Sequence, residues 1–333
     1  MVHSIMKIRK ASSYLARILA AKGWAVITEY ELFLEFLRIY RSDSKTRKEL
    51  RLRIEFPDRS KFRYAINDLT KSRFLRPDAD FYGNKENQDK EISDLRTSFG
   101  GGSRTKVFRV SDVPDAPADE VSALVDPFCF VSHLSAMQHF GLSNRRPVEL
   151  MLTTPNIVHW RKLRDEKMSE DYLPELSQEQ YRVKLERISL PRKLRGRQLS
   201  IHTTNRLIDI RTSRNSIKRI PPIEEVFVEM LDRPDLCGGI THVIEVWKEY
   251  APDRLDKIVA AIDLVNDGIM KVRAGFILDE CLKLNHPAIN GWLKFAQRGG
   301  SRKLDPSRPY APRFSEKWMI SINVNSEFIP NAP

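Results

Sequence analysis

The N-terminal part of the chain carries apolar residues at the spacing of amphipathic helices. Residues 12–23 predict a first helix, which Ser12 or Ser13 caps and the Lys22-Gly23 pair ends. Its apolar positions are Leu15, Ile18 and Leu19. A short extended stretch, Val26-Ile27, separates this helix from the next one.

A second helix is predicted after Thr28, because Thr28 and Glu31 have the spacing of a capping box. Apolar residues recur along one wide face of it, as in a helix that packs against a core. These residues are Leu32, Phe33, Phe36, Leu37 and Tyr40. Residues 41–53 are charged and too polar to pack deeply, so they predict a connection with some helical content.

A third helix, after Asp58 as its cap, has two contrasting faces. One face is apolar and consists of Phe62, Ala65, Ile66 and Leu69. The opposite face carries Ser60, Tyr64, Asn67 and Lys71, flanked by Lys61 and Arg63. Side chains of these types contact base edges and phosphates when a helix lies in the major groove. An ordinary surface helix has the same pattern, so this segment alone does not indicate DNA binding.

The segment after the third helix changes this interpretation. Residues 73–76 predict a short strand, and the alternating residues 106–110 predict a second one. Helices followed by a two-stranded ribbon are the element order of a winged helix-turn-helix, which we place at residues 1–112. Between the strands, residues 84–103 are almost free of apolar side chains and include three consecutive glycines, which predicts a wing tip or an insertion. These glycines do not form a phosphate-binding loop, because no strand precedes them and no Lys-Ser/Thr pair comes after them.

The charge distribution agrees with a polyanionic partner for this part. The net charge is +12; residues 1–110 hold 24 Lys and Arg against 14 Asp and Glu, and the remainder holds 32 against 30. A basic module joined to a nearly neutral one favours nucleic acid, although basic surfaces without such a partner are common.

The rest of the chain predicts a larger mixed α/β domain at residues 113–333, joined through the proline-rich acidic connector 111–119. A helix is expected after Ser132 and ends at Gly141. Strands are expected between about 148 and 210, at residues 148–154, 181–188, 199–203 and 207–210. Helices in a bundle-like arrangement are expected between about 223 and 284, at residues 223–231, 240–250 and 253–265 and in a last segment through Phe276 and Leu282. Residues 318–323 predict a final strand, so the whole chain is assigned to the α+β class.

Three sets of residues in this second part carry a family resemblance. The first set is Phe130-Val131-Ser132-His133-Leu134-Ser135-Ala136 with Gly141-Leu142 and Thr153-Thr154-Pro155. The second set is residues 223–240, with the string Asp232-Arg233-Pro234-Asp235-Leu236-Cys237-Gly238-Gly239-Ile240. The third set is residues 303–309 with Trp318 and Asn323. In this order, behind a winged helix, they resemble the AbiEi-type antitoxins of type IV toxin–antitoxin (abortive infection) systems. The chain departs from that pattern in its larger N-terminal module and in Pro221-Pro222-Ile223-Glu224-Glu225 at the entry to a helix.

The resemblance implies a transcriptional autorepressor that binds double-stranded operator DNA. It also implies an antitoxin that counteracts a nucleotidyltransferase-like toxin, and direct contact between the two proteins is not required. The predicted DNA-binding residues are Ser60, Lys61, Arg63, Tyr64, Asn67, Lys71, Arg73, Arg76, Arg104 and Lys106.

The turn at residues 233–239 is interpreted as structural, because Pro234 cannot continue the preceding helix and Gly238-Gly239 allow positive φ.

Candidate catalytic residues are few, so we predict no catalytic residue, no metal site and no cofactor, and expect that the protein is not an enzyme. His133 and His139 are six residues apart and do not share a helix face, and His133 is interpreted as a hydrogen-bonded residue at a helix start. Residues 165–167, Asp-Glu-Lys, lie in a very polar stretch and are interpreted as a solvated face. Cys129, Cys237 and Cys281 have no paired spacing and are interpreted as buried reduced thiols.

Several alternatives remain open. The basic residues Arg192, Lys193, Arg195 and Arg197 around Gly196 fit either a hairpin tip or a second phosphate-contacting patch. The chain could also be a nucleic-acid-processing enzyme that a winged helix delivers, or a repressor that senses a small ligand. No apolar stretch is long enough to span a bilayer and no cleavage site comes after the basic N-terminus, so we expect a cytoplasmic protein without a membrane partner.

Overall fold

The computed structural model describes residues 8–82, 106–172, 183–212, 216–297 and 302–324. Helices and strands both contribute to the packing, so the predicted α+β class is confirmed. No helix within these ranges has an apolar stretch long enough to cross a bilayer.

The N-terminal region consists of short helices and a small sheet. Its elements are α1 Lys10–Lys22, β1 Val26–Thr28, α2 Glu29–Tyr40, α3 Ser44–Leu50, α4 Arg59–Lys71, β2 Leu75–Pro77, α5 Ala79–Tyr82 and β3 Val107–Val110. The sheet is antiparallel with the order β1-β3-β2, so β3 pairs with both neighbours. Val26 lies opposite Arg109, and Leu75 lies opposite Val110. The element order agrees with the one that the sequence predicts, apart from the short helix α5.

Local capping residues account for several of these helix boundaries. The side chains of Thr28 and Asp58 accept hydrogen bonds from the backbone N–H groups of Glu31 and Lys61, which satisfies donors that a helix start leaves free. Gly23, with φ +67°, ends α1 as predicted. The predicted start of α1 is wrong, because the helix begins at Lys10. Ser12 is buried inside it and donates to Asp68 over 2.8 Å, so neither Ser12 nor Ser13 is a cap.

The apolar core of this region includes residues from the second half of the chain. The apolar face of α4 is buried as predicted, and Phe62 packs edge-on against Phe33 of α2. Tyr172 contacts the same aromatic group, with its ring centroid 6.2 Å from that of Phe33. Trp160, Val183 and Leu185 belong to the same buried cluster. Each fully buried aromatic or aliphatic side chain stabilises the fold by about 1.5–3 kcal/mol, so packing across residue 112 is substantial.

A second, four-stranded sheet lies beyond the connector. This part of the chain contains the elements α6 Ala118–Val125, β4 Phe130–Val131, α7 His133–His139, β5 Leu150–Pro155, α8 Ile157–Asp171, β6 Lys193–Leu194, β7 Arg197–Thr204, β8 Arg211–Thr212 and β9 Arg219–Ile220. The strand order is β4-β5-β7-β6, and β8 pairs separately with β9. β5 and β7 are parallel, with Leu150 opposite Leu199 and Pro155 opposite Thr204, so the chain crosses over between them through α8.

Two of the predicted strands are wrong in this region. Of the strand predicted at residues 181–188, the described part, 183–188, forms no strand; the N–H and C=O of Val183 bond to the hydroxyl of Tyr172 instead of to a neighbouring strand. Residues 207–210 form no strand either, and the short strand β8 begins after them. The strands predicted at residues 148–154 and 199–203 are confirmed with shifted ends.

The connector at residues 111–119 is packed against the fold. Val113 is buried, and its carbonyl oxygen accepts a hydrogen bond of 2.6 Å from Arg109. Asp115 lies 3.0 Å from the guanidinium of Arg195. The connector is therefore fixed to the residues on either side of it.

The C-terminal region is helical and ends in a small hairpin. Its elements are α9 Ile223–Asp232, the 3₁₀ turn Pro234–Cys237, α10 Ile240–Tyr250, the 3₁₀ turn Pro252–Arg254, α11 Leu255–Asp263, α12 Gly268–Gly275 continued by the π-helical turn Phe276–Cys281, α13 Pro287–Trp292, the 3₁₀ turn Leu293–Phe295, and the strands β10 Phe314–Ser315 and β11 Ile320–Ser321. The predicted helices are confirmed, and the final strand is shorter than predicted. Gly238 and Gly239 have φ of +88° and +91°, which agrees with a structural role for the turn before α10.

Candidate nucleic-acid interface

Helix α4 presents to solvent the side chains that the sequence proposes for DNA contact. Its inner face is buried in the N-terminal core, which fixes the direction of its outer face. The exposed predicted residues on or after this helix are Ser60, Lys61, Arg63, Tyr64, Lys71, Arg73 and Arg76. Asn67 is half-buried between them. The structure thus brings most of the predicted residues to one helix and the strand behind it.

Most of the cations on this surface have no carboxylate partner. Within the described ranges, no ion pair involves Arg63, Lys71, Arg73 or Arg76. Lys61 lies 3.0 Å from Asp58, but both side chains are nearly half exposed, so this pair is weak. The guanidinium and ammonium groups are therefore available to an external anion.

The single carboxylate within α4 is neutralised from another helix. Asp68 accepts from the guanidinium of Arg9 over 3.0 Å and from the hydroxyl of Ser12. The same guanidinium lies 4.7 Å above the ring of Tyr64. The outer face of α4 consequently keeps a positive charge. Arg9 is not among the predicted residues, because no local pattern marks a contact across 59 positions.

The cations that come after α4 extend this surface toward the sheet. Arg73 adopts a left-handed backbone with φ +60°, and its N–H bonds to the carbonyl of Thr70. The chain then turns into β2, where Arg76 is exposed opposite Arg109 of β3. Arg76 thus lies on the small sheet behind the helix.

Arg104 and Lys106, the two residues predicted toward the wing, are not among these exposed cations. Arg104 lies outside the described residues, as does the predicted insertion at 84–103. Lys106 is half-buried, and its ammonium lies 2.8 Å from Glu29 and 3.3 Å from Glu186. Burial lowers the pKa of Lys106, but the hydrogen bond and charge of Glu29 outweigh it and raise the pKa above its ordinary value. Lys106 is already held by two carboxylates and contributes no free cation.

The basic cluster around Gly196 forms a hairpin tip, which agrees with one of its two interpretations. β6 and β7 pair through the turn Arg195-Gly196, whose φ values are +49° and +78°. Arg195 points into a carboxylate cluster of Asp78, Asp80 and Asp115 and is only 14% exposed. The tip is therefore docked on the N-terminal region, and Arg195 acts as a structural cation.

The histidine and cysteine candidates are embedded in the fold. His133 begins α7 with φ +50°, its Nδ1 lies 2.8 Å from the Ser132 hydroxyl, and its N–H donates to Glu229, so its interpretation as a helix-start residue is confirmed. Burial lowers the pKa of His133 to about 3 and raises the pKa of Glu229 to about 8. The His202 ring lies 5.2 Å from that of His133. Sequence analysis missed both His202 and Glu229, because they are distant along the chain.

The remaining candidates show no catalytic arrangement among the described residues. There, no group of three or more His, Cys, Asp or Glu side chains is placed to hold a metal ion. Asp165 and Glu166 pair with neighbouring cations of α8, while Lys167 reaches Glu31 and Asp171. The free thiols of Cys129 and Cys237 are buried, which raises their pKa, and Cys281 is partly buried.

Comparison with known proteins assigns no family to this chain. No family model and no curated protein matches the chain. Among solved structures, that of the RV2827C protein from Mycobacterium tuberculosis aligns over 94% of this chain and 92% of its own, with 12% identity and a TM-score of 0.43.

Proposed function

We propose that the protein is a DNA-binding transcriptional autorepressor and an antitoxin of the AbiEi type. The observation that carries the DNA-binding part is the outer face of α4, where Arg63 and Lys71 lack carboxylate partners among the described residues and Asp68 is neutralised by Arg9. A helix of 13 residues, about 20 Å long, suits the major groove.

In this proposal, the outer side chains of α4 and the residues after it divide into phosphate contacts and base-edge contacts. Arg63, Lys71 and Arg73 supply charge for phosphates, whereas Tyr64 and Asn67 supply hydrogen-bonding groups for base edges. The sheet β1-β3-β2 behind the helices supports a winged-helix assignment for residues 1–112. The region between β2 and β3 is the wing in this proposal, and Arg104 contacts phosphate from it.

The antitoxin part of the proposal rests on the resemblance of residues 130–155, 223–240 and 303–323 to AbiEi-type antitoxins. In it, the second domain counteracts a nucleotidyltransferase-like toxin in the cytoplasm without a catalytic site of its own. Growth rescue tests this part: the chain is co-expressed with a nucleotidyltransferase-like toxin encoded beside it. Growth that stays arrested although both proteins accumulate contradicts the antitoxin assignment.

The DNA-binding part is tested by gel shift on the DNA upstream of the protein's own gene, against scrambled DNA, at two salt concentrations. We expect a preference for the native site that persists at physiological salt. Arg63→Ala with Lys71→Ala should remove this preference and reduce the salt dependence. Lys248→Ala with Lys257→Ala, two exposed lysines of the C-terminal helices, is the matched control. Unchanged affinity and salt slope in the α4 variant contradict the proposal.

A further inference from the structure

Helix α3 lies at the surface of the N-terminal region, and none of its residues is buried. Asp43 caps it by accepting from the backbone and hydroxyl of Thr46, so its conformation is specified locally. Leu50 at the end of the helix, and Leu52 and Phe56 after it, pack partly against the N-terminal core. The segment at residues 44–55 is therefore held in place, although its helix adds almost nothing to the core.

The charges of this segment are strongly asymmetric. Residues 44–55 contain five basic and two acidic side chains. Glu55 is paired with Arg47 over 2.7 Å. The remaining basic side chains are exposed and form no ion pair in the described part of the chain; they are Lys45, Lys48, Arg51 and Arg53. Like charges at this density repel one another, and an external anion relieves the repulsion.

The N-terminus of α1 places this segment beside α4. Arg9 contacts Tyr64 and Asp68 on the outer face of α4. The next residue, Lys10, donates from its ammonium to the carbonyl of Glu49 in α3, over 3.1 Å. Consecutive Cα atoms are about 3.8 Å apart, so α3 and the outer face of α4 adjoin through two neighbouring residues.

We propose that α3 and the residues after it form a second phosphate-contacting surface, which binds the backbone of duplex DNA next to the groove that α4 enters. This inference rests on the proposed function of α4 and names a further element of the same interface. Lysines and arginines on flexible stems, without hydrogen-bonding partners for base edges beside them, suit phosphates and carry no sequence preference. The surface therefore raises affinity and fixes orientation, whereas α4 reads the sequence.

The test compares Lys45→Gln/Lys48→Gln/Arg53→Gln with the unmodified protein in fluorescence-anisotropy titrations on native and scrambled duplexes at several salt concentrations. Arg51 is left unchanged, because its φ of +59° makes its backbone a separate variable. Three lost phosphate contacts should reduce the slope of log affinity against log salt by about 2 to 3. The ratio of native to scrambled affinity should stay the same.

Lys248→Gln/Lys257→Gln/Lys294→Gln removes the same charge from the C-terminal helices and should leave the slope unchanged. Equal slopes for the α3 variant and this control overturn the inference, while loss of native-site preference in the α4 variant would still support the proposed function. If the unmodified protein shows no preference for the native site, the proposed function fails instead. Equal slope losses in both triple variants indicate a general charge effect and also overturn the inference.

Discussion

The guanidinium of Arg195 lies 2.5 Å and 3.0 Å from the two carboxylate oxygens of Asp78, and so joins the second sheet to the N-terminal region. Asp78 is buried directly after β2, and its side chain also accepts from the N–H of Asp80 at the start of α5. The backbone N–H of Arg195 donates to Asp80 over 2.9 Å. A cluster of polar contacts therefore joins the hairpin tip to the predicted DNA-binding region and fixes their relative position.

Removing Arg195 should destabilise the protein strongly. Arg195→Ala leaves the Asp78 carboxylate buried without its cation, which costs about 3–5 kcal/mol. Chemical denaturation followed by fluorescence measures the change in unfolding free energy. Arg192→Ala, at an exposed position of the same hairpin, is the control and should change stability by less than about 0.5 kcal/mol. Similar losses for both variants would show that the ion cluster contributes little.

Gly275 should tolerate no larger side chain. A Cβ atom at this position would lie 2.1 Å from the Trp318 indole, and Trp318 is held by a hydrogen bond of 2.9 Å to Asp279. Gly275→Ala should therefore cost at least about 1–3 kcal/mol, measured as a fall in Tm. Gly291→Ala is the control, because no heavy atom lies within 4 Å of its Cβ position and alanine favours a helix. A Gly275→Ala protein with unchanged Tm would contradict the packing.

Glu229 should make stability depend on pH. Burial raises its pKa from 4.5 to about 8. Between these two pH values, the folded protein therefore binds a proton that the unfolded chain has released. The contribution of this proton to the free energy of unfolding is fully present below about pH 4.5 and is lost as pH rises through 8, at roughly 1.4 kcal/mol per pH unit. Glu229→Gln stays uncharged and still accepts from the N–H of His133.

The Tm advantage of Glu229→Gln over the unmodified protein should consequently grow between pH 5 and 8 and stay constant above that range. Glu316→Gln, an exposed carboxylate of the C-terminal region, is the control and should show no such trend. A constant difference across the range would indicate that Glu229 titrates normally.

Lys106 should contribute little to DNA affinity, although the sequence proposes it as a phosphate contact. Its ammonium is already bound by Glu29 and Glu186, so a phosphate would have to displace both. Lys106→Gln should leave the salt slope of binding unchanged, whereas Arg63→Gln should reduce it by about 1. The comparison is made on the native duplex by anisotropy. Equal reductions for the two variants would place Lys106 in the interface.

The outer face of α4 illustrates how much of the candidate site the sequence predicts. Ser60, Arg63 and Tyr64 are exposed where the helical period places them, because Phe62 and Ile66 bury the opposite face. The exposure of a side chain can be predicted from periodicity, but its partners cannot. Asn67 is half-buried, and Lys106 is bound by carboxylates from two distant segments.

The sequence by itself determined the helices of the N-terminal core, the caps of α2 and α4 and the strands β1 to β3, because these depend on residues a few positions apart. Thr28 and Asp58 cap their helices through bonds that span three residues. Tertiary structure alone decided which charges are free. Arg9 neutralises Asp68 across 59 positions and Arg195 binds Asp78 across 117, and no local period encodes such pairs. Electrostatic contacts of this kind form only when packing brings distant segments together, so the site's final charge is a property of the fold.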